Sequence, residues 1–274
     1  MSAAPATLGL LALAVTLGIV LSTVLQAPSP GPAPALTSTP LPAGAVTWGS
    51  LERNLVYAAD VPVDHCPAPP ADDTRSRLVL FNALTDCMGR SWRAALRTAG
   101  VHLAEPTRVF WTRPGRGACG DYPGDAAAFY CPANQGIYLG AVDDEHWMVL
   151  SAILAHEYGH HVQEVTGIMD AEAEKEYGTT GDAVIAALSR RLELQADCFA
   201  GVWFSAVRRS LPVTGKDWGI VLEDAALRGD EEDDEVRLRT HGTGEHVAAW
   251  LNGGFRGGRP GHCDTWAAPA ADVA

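Results

Sequence analysis

Apolar residues recur every three or four positions over much of the chain beyond residue 70. Between Asp73 and Gly100 this spacing predicts an amphipathic helix, with Asp73 or Thr74 as its N-cap and Gly100 just beyond its end. The same pattern returns in four later segments. It predicts helices over about residues 145–166, 182–209, 218–227 and 243–251.

Three short runs rich in β-branched and aromatic residues lie between the first two of these helices. The runs are Arg108–Thr112, Ala127–Cys131 and Gly136–Leu139, and Gly, Pro and Asn residues that favour turns separate them. They predict three strands of one sheet, and no segment of the sequence repeats another. The predicted fold class is α+β, mainly helical, with a small antiparallel sheet.

The N-terminus has a different pattern, because no charged side chain precedes Glu52. Leu8–Leu25 is an apolar run of 18 residues. A helix of that length measures roughly 27 Å, just short of the ~30 Å hydrocarbon core of a bilayer. Residues 1–27 are therefore interpreted as a signal peptide or a single-pass membrane anchor. The length of the apolar run favours the anchor, whereas the absence of basic residues beside the run argues against it.

A Pro-rich stretch follows this leader. Pro28–Gly44 contains six Pro and few apolar side chains that could pack, so an extended, polyproline-like linker is expected. The sequence then predicts a folded domain over residues 46–266 and a flexible tail over residues 267–274. The domain is expected outside the cytoplasm, either held at the cell membrane or secreted if the leader is cleaved.

Charge and composition narrow the class of protein. A hydrophobic content of 47% is ample for a packed core. The 33 Asp and Glu outnumber the 20 Lys and Arg, which argues against a nucleic-acid partner because phosphate binding needs a basic surface. The acidic run Asp230–Glu235 is typical of a solvated loop, since it lacks the spaced ligands and turn glycine of a calcium-binding loop.

The candidate chemistry lies in the helix predicted over residues 145–166, which contains the motif H-E-x-x-H at His156, Glu157 and His160. Residues four apart share one face of a helix, so both imidazoles can reach a single metal ion. Neutral imidazoles and an open fourth position suit zinc. Glu157 projects beside that face, where its carboxylate can hold a zinc-activated water. The alternative is a pair of ordinary helix-surface histidines.

A catalytic zinc ion needs a third protein ligand. One large class of enzymes places a third His six residues after the second, but Gln163 and Thr166 occupy the corresponding positions of that longer motif here. The other common solution is a Glu from a later helix, for which Glu193 is the candidate. Asp197 lies four residues further on the same face, where it can accept a hydrogen bond from a ligand imidazole. The alternative for Glu193 is an ordinary exposed acid.

These motifs resemble a known family. Ala155–Gln163 (AHEYGHHVQ) and Glu193–Gly201 (ELQADCFAG) are similar to segments of the bacterial putative neutral zinc metallopeptidase family, a gluzincin-like group. The similarity extends over roughly residues 118–266. It also includes the segments FYCP at 129–132, IYL at 137–139, THG at 240–242 and CDT at 263–265.

The resemblance implies a zincin-like metallopeptidase domain with two central metal-binding helices and one Zn²⁺ ion. It further implies that His156, His160 and Glu193 are the metal ligands and that Glu157 is the general base for hydrolysis of a peptide or protein substrate. The alternative is a catalytically silent zinc-binding scaffold or interaction module at the cell surface. The intact Glu157 favours the enzyme, because a silent module needs no base.

The oxyanion that forms during peptide hydrolysis needs a further hydrogen-bond donor. Tyr138 and His241 are the candidates, and the alternatives are a packed aromatic side chain for Tyr138 and a structural histidine for His241. Tyr138 is predicted on the strand before the zinc helix, where an edge strand can pair with an extended substrate. His161 points away from the His156 and His160 face and is expected to be non-catalytic.

All six Cys follow the linker, and an even number in an exported chain indicates disulfides. Six Cys allow 15 connectivities, which the sequence does not decide. A free thiolate at Cys198, next to Asp197, would compete for zinc, so we expect this residue to be bridged, with Cys263 as the favoured partner. The pairs Cys119–Cys131 and Cys66–Cys87 would then remain.

The leader generates the first testable prediction. If Leu8–Leu25 is a retained anchor, the full chain should stay in the membrane pellet through a carbonate wash, because a spanning helix is not extracted as peripheral proteins are. A soluble mature form beginning near Pro28 would contradict the anchor and support secretion.

Overall fold

The computed structural model describes residues 50–67, 73–122, 128–140, 146–211, 213–231 and 235–274. These residues all belong to one unit of the chain, Val46–Ala274. The predicted leader, the Pro-rich linker and the centre of the acidic run lie outside the described residues. Within the part of the chain that is described, no helix is both long and apolar enough to span a membrane.

Helices dominate the described residues, and five of the six α-helices lie where the apolar spacing predicts one. The exception is the third, in which only Ile168 and Glu172 are buried, so it has no apolar stripe that a sequence pattern could reveal. Asp73 caps the first helix as predicted. The helices are α1 (Thr74–Thr98), α2 (Trp147–Val165), α3 (Ile168–Tyr177), α4 (Asp182–Val207), α5 (Gly215–Leu227) and α6 (Gly244–Gly257).

The strands form a three-stranded sheet and a separate two-stranded hairpin. In the larger sheet β5 lies between β1 and β4, and it pairs antiparallel with β4 but parallel with β1. The α+β class is confirmed, but the sheet is mixed because the chain returns through β4 and inserts β5 beside β1. The strands are β1 (Thr107–Trp111), β2 (Gly115–Gly117), β3 (Gly120–Tyr122), β4 (Ala128–Cys131) and β5 (Gly136–Gly140).

Helix α4 packs between α2 and α6, and a glycine at each contact lets the two helix backbones come close together. A Cβ atom added at Gly159 of α2 would lie 2.8 Å from the backbone oxygen of Ala196 in α4. On the other side of α4, a Cβ added at Gly254 of α6 would lie 2.0 Å from the Cys198 oxygen. Since real Cβ atoms are not found so close to backbone oxygens, these glycines allow α2, α4 and α6 to pack backbone against backbone.

The three predicted disulfides are present, and none of the six Cys is free. The first joins the N-terminal segment to α1, the second joins the β2–β3 turn to β4, and the third joins α4 to the C-terminal segment. Their pairs are Cys66–Cys87, Cys119–Cys131 and Cys198–Cys263. Disulfides of this kind persist in oxidising, extracytoplasmic compartments.

The C-terminal residues, expected to be a flexible tail, are packed against the domain instead. Val273 is buried, and its carbonyl oxygen accepts a hydrogen bond from the Arg190 guanidinium of α4. The Trp250 indole of α6 donates to the Asp272 carbonyl oxygen. The small, mostly alanine side chains of residues 267–274 gave no sign of this contact, because backbone carbonyls rather than side chains make most of it.

The α4–α6 crossing generates a stability prediction with a neighbouring control. Gly254→Ala should lower the free energy of unfolding by about 1–3 kcal/mol or more, because its methyl group overlaps the Cys198 oxygen. Gly253→Ala should instead raise it by about 0.5–1 kcal/mol, because that position is open and alanine is the better helix former. Denaturant unfolding of the two variants checks this, and equal stabilities would contradict the close crossing.

Candidate metal centre

Three potential metal ligands converge where α2 packs against α4. The Nε2 atoms of His156 and His160 are 3.1 Å apart. Oε2 of Glu193 lies 3.1 Å from the first of these nitrogens and 3.2 Å from the second. Among the described residues, no other group of three or more His, Cys, Asp and Glu side chains could hold a metal ion. The helical spacing of the two His and the close approach at Gly159 together produce this arrangement.

The opposite nitrogen of each imidazole faces a hydrogen-bond acceptor. Nδ1 of His156 lies 3.0 Å from Oδ1 of Asp197, and Nδ1 of His160 lies 2.8 Å from Oε1 of Gln163. With the ring proton on Nδ1, each Nε2 carries a lone pair directed at Glu193. The structure thus brings Asp197 to the ring nitrogen of a ligand histidine, where the helical spacing placed it.

The chemistry of these donors fits a zinc ion. Two imidazole lone pairs and a carboxylate oxygen repel one another at 3.1–3.2 Å unless a proton or a metal cation lies between them. In a tetrahedral site with zinc–ligand distances near 2.05 Å, the ligand atoms are roughly 3.3 Å apart. The observed spacing is close to that value, so His156, His160 and Glu193 would hold the ion with little rearrangement.

Mutual electrostatic interactions shift the pKa values of His156, His160 and Glu193. Burial by itself lowers the pKa of an imidazole, but Asp197 and Glu193 outweigh it and raise the pKa of His156 well above its usual range. Burial is likewise outweighed at His160, whose pKa Glu193 raises. The two His in turn hold the pKa of Glu193 well below its usual range, against the effect of burial. A bound cation would displace the protons that these interactions favour.

A cleft of about 240 Å³ opens onto the three ligands. Glu157 lines it beside them and is itself buried. Burial and the nearby Glu193 raise the pKa of Glu157, while His156 and His160 lower it. Burial prevails, so the pKa of Glu157 is raised and its carboxylate is a better proton acceptor than an ordinary exposed one. The other wall residues are Ala128, Phe129 and Tyr130 of β4, Met169 of α3, Leu192 of α4 and His241.

Tyr130 is a wall residue that was not singled out from the sequence. Its hydroxyl group lies 3.1 Å from Nδ1 of His161, whose Nε2 lies 2.9 Å from the Ala104 carbonyl oxygen. Because a carbonyl can only accept, Nε2 of His161 carries the proton and Nδ1 accepts from Tyr130. The Tyr130 hydroxyl is therefore directed away from the cleft. His161 holds a wall residue and does not contact the metal ligands, as its position on the helix predicted.

The structure separates the two candidate oxyanion donors. His241 lines the cleft, with Nε2 3.8 Å from Oε2 of Glu193. The backbone N–H groups of His241 and Gly242 both donate to the Asp230 carboxylate, which fixes the loop that carries this imidazole. Asp230, the first residue of the acidic run, therefore has a specific structural contact that its composition did not reveal.

Tyr138 does not reach the cleft. It lies on β5, which is the central strand of the sheet and not an edge strand. Its side chain is buried on the sheet face opposite Ile137, stacks on Phe129, and its hydroxyl oxygen accepts a hydrogen bond from Asn134. The hypothesis that Tyr138 stabilises the oxyanion is therefore wrong, because the alternation of side chains along β5 directs it away from α2.

A buried acid near the site was also missed. Glu172 lies on α3, and burial, together with Glu176 and Glu193, raises its pKa to about 7. It therefore carries less negative charge near neutral pH than an ordinary exposed carboxylate does. Without an apolar stripe on α3, no sequence signal indicated that this side chain is buried.

Comparison with known proteins agrees with this geometry. The family model described as putative neutral zinc metallopeptidase matches residues 59–266. The uncharacterized protein YpfJ of Escherichia coli (strain K12) is 31% identical over 195 residues, which cover 64% of this chain and 67% of that protein. The uncharacterized protein Rv2575 of Mycobacterium tuberculosis (strain ATCC 25618 / H37Rv) is 31% identical over 191 residues, or 59% of this chain and 62% of that protein. No solved structure gives a significant match.

Proposed function

This chain belongs to the putative neutral zinc metallopeptidase family, and on that premise we propose that it is a zinc-dependent endopeptidase that acts outside the cytoplasm. The observation that carries the proposal is the position of Glu157. Its carboxylate lines the same cleft as the His156, His160 and Glu193 cluster. A site that only bound zinc would have no need of a buried acid at the open side of the ligands.

The side chains of the cleft have distinct roles in the proposed reaction. A zinc ion held by His156, His160 and Glu193 would act as a Lewis acid, which polarises the peptide carbonyl group and lowers the pKa of water. Glu157 accepts the proton of the attacking water and then donates it to the leaving amine nitrogen. Asp197 keeps the proton of His156 on Nδ1, so that Nε2 remains a ligand. His241, which also lines the cleft, donates to the developing oxyanion.

The β4 strand supports a peptide as the substrate. In the described sheet β4 is an edge strand, and its residues Ala128, Phe129 and Tyr130 line the cleft. An edge strand has unpaired backbone N–H and C=O groups, which an extended peptide can join as an additional strand. We propose that the substrate binds along β4, with its scissile bond over Glu157.

The disulfides support the proposed location. Three of them cross-link the described domain, which is typical of proteins in an oxidising environment. We propose that the leader exports the chain and that Leu8–Leu25 is retained as an anchor, with the Pro-rich linker holding the peptidase domain away from the membrane. The carbonate wash described above tests this part of the proposal.

The central prediction separates zinc binding from catalysis. Glu157→Gln keeps the size of the side chain but removes its basic carboxylate, so casein hydrolysis should fall by about 10²–10⁴-fold. Zinc content and melting temperature should stay close to those of the parent, because His156, His160 and Glu193 are unchanged. Glu193→Gln should instead weaken zinc binding itself, since it replaces an anionic ligand with a poor neutral one.

Metal analysis and proteolysis on the purified full chain, with and without a chelator, measure both properties. Casein cleavage by Glu157→Gln at the parental rate would mean that the activity does not come from this site. A parent chain that binds zinc and cleaves no peptide would favour a silent zinc-binding module.

A second prediction concerns the donor to the oxyanion. His241→Ala should lower kcat by about 10²-fold, the usual effect of losing one such donor, and should leave zinc content unchanged. The matched control is Tyr138→Phe, which removes a buried hydroxyl group outside the cleft and should keep the parental kcat. A larger loss from Tyr138→Phe than from His241→Ala would overturn the assignment.

A further inference from the structure

A continuous chain of buried hydrogen bonds leads away from the His160 ligand. Oε1 of Gln163 accepts from Nδ1 of His160, and Nε2 of Gln163 donates to Oε1 of Gln195 over 3.1 Å and to the Leu192 carbonyl oxygen over 2.8 Å. Nε2 of Gln195 donates in turn to the Cys263 carbonyl oxygen over 3.0 Å. Neither glutamine side chain has any solvent-exposed surface.

The chain continues into the N-terminal segment. The second N–H of Gln195 donates to the Tyr57 hydroxyl oxygen over 2.8 Å, and Tyr57 donates to the Leu51 carbonyl oxygen over 2.7 Å. Both residues precede position 59, where the match to the family model begins. The described hydrogen bonds thus connect His160 to a part of the chain outside the family match.

The orientation of every group in this network follows from the metal site. If Nε2 of His160 binds zinc, Nδ1 carries the proton and Gln163 must present its oxygen. The amide nitrogen of Gln163 then points towards Gln195 and can only donate. Gln195 must therefore present its side-chain oxygen to Gln163. Each amide N–H ends on an acceptor, so the network has no unsatisfied donor and a single arrangement.

We propose that Gln163 and Gln195 are positioning residues that orient His160 for zinc and keep its proton on Nδ1. The inference rests on the proposed zinc site. The two ligand histidines are then held differently, because a carboxylate faces Nδ1 of His156 and a neutral amide faces Nδ1 of His160. Since Gln195 donates to Cys263, one of the half-cystines of the Cys198–Cys263 bridge, the orientation of His160 depends on the C-terminal segment.

The test measures the zinc affinity of the full chain by competition with a chromophoric chelator. Gln163→Met keeps the volume of the side chain but removes the acceptor for His160, so zinc should bind about 10–100-fold more weakly. Gln163→Glu keeps an acceptor oxygen for His160 but loses the donor to the Leu192 and Gln195 oxygens, so it should restore the zinc affinity in part. A residue that served only to fill the core would not show this rescue.

Thr166→Val is the matched control. Thr166 is also fully buried, directly after the end of the same helix, but its hydroxyl group donates to the backbone carbonyl oxygens of Val162 and Gln163 and to no side chain of the network. This variant should lose melting temperature and keep the parental zinc affinity. Gln195→Met, one step further from the metal, should weaken zinc binding roughly threefold or more, and it decides the question if Gln163→Met does not fold.

The failures of the two proposals are distinguishable. Parental zinc affinity in Gln163→Met, or in Gln195→Met if the first does not fold, overturns the positioning role whatever the peptidase assay shows. Equal weakening in Gln163→Glu and Gln163→Met, or a parent that binds no zinc, also overturns it. The parent protein could also bind zinc and cleave no peptide while Gln163→Met binds zinc more weakly. That result supports the positioning role and contradicts only the proposed peptidase activity.

Discussion

The structure depends on an arrangement that is unfavourable unless a proton or a metal cation lies between its three donor atoms. Two imidazole nitrogens and a carboxylate oxygen lie within 3.2 Å of one another where α2 packs against α4. The backbone contact between Gly159 and Ala196 makes this possible, because any larger side chain at position 159 would separate α2 from α4. The Nδ1 contacts then direct both lone pairs to the same point. The convergence of the three donor atoms therefore begins with helix packing and is completed by hydrogen bonding.

Helix α4 is held from several sides, and this stabilises the position of Glu193. Gly254 allows α6 to pack on its outer face. Arg190 donates to two backbone carbonyls and Arg191 to two others, all in the segment after residue 238. Most of these contacts involve backbone oxygens, so they constrain the path of the chain more than the identity of its side chains.

The sequence was most informative where a repeating pattern or a motif carried the information. Periodicity located α1 and α4, and the H-E-x-x-H spacing located the cluster that the structure brings together. Inference from the sequence failed where structure depends on residues that are far apart along the chain. The parallel pairing of β1 with β5 produces no pattern in the sequence of either strand, and α3 has no apolar stripe. The contact of Asp230 with residues 241 and 242 involves backbone N–H groups, which no pattern of side chains reveals. Gln163 was noted only because it differs from the longer motif, whereas its side chain is the acceptor for His160.

The Cys198–Cys263 bridge spans 65 residues of sequence, and this separation has a consequence for the order of assembly. The ribosome releases the chain from its N-terminus, so the two ligand His emerge before Glu193, and Glu193 emerges before His241 and Cys263. The hydrogen bonds that end on Cys263 can form only after nearly the whole domain has been synthesised. The candidate metal site is therefore completed only after Cys263 has been synthesised, and a shorter chain carries His156, His160 and Glu193 without the hydrogen bonds that align His160.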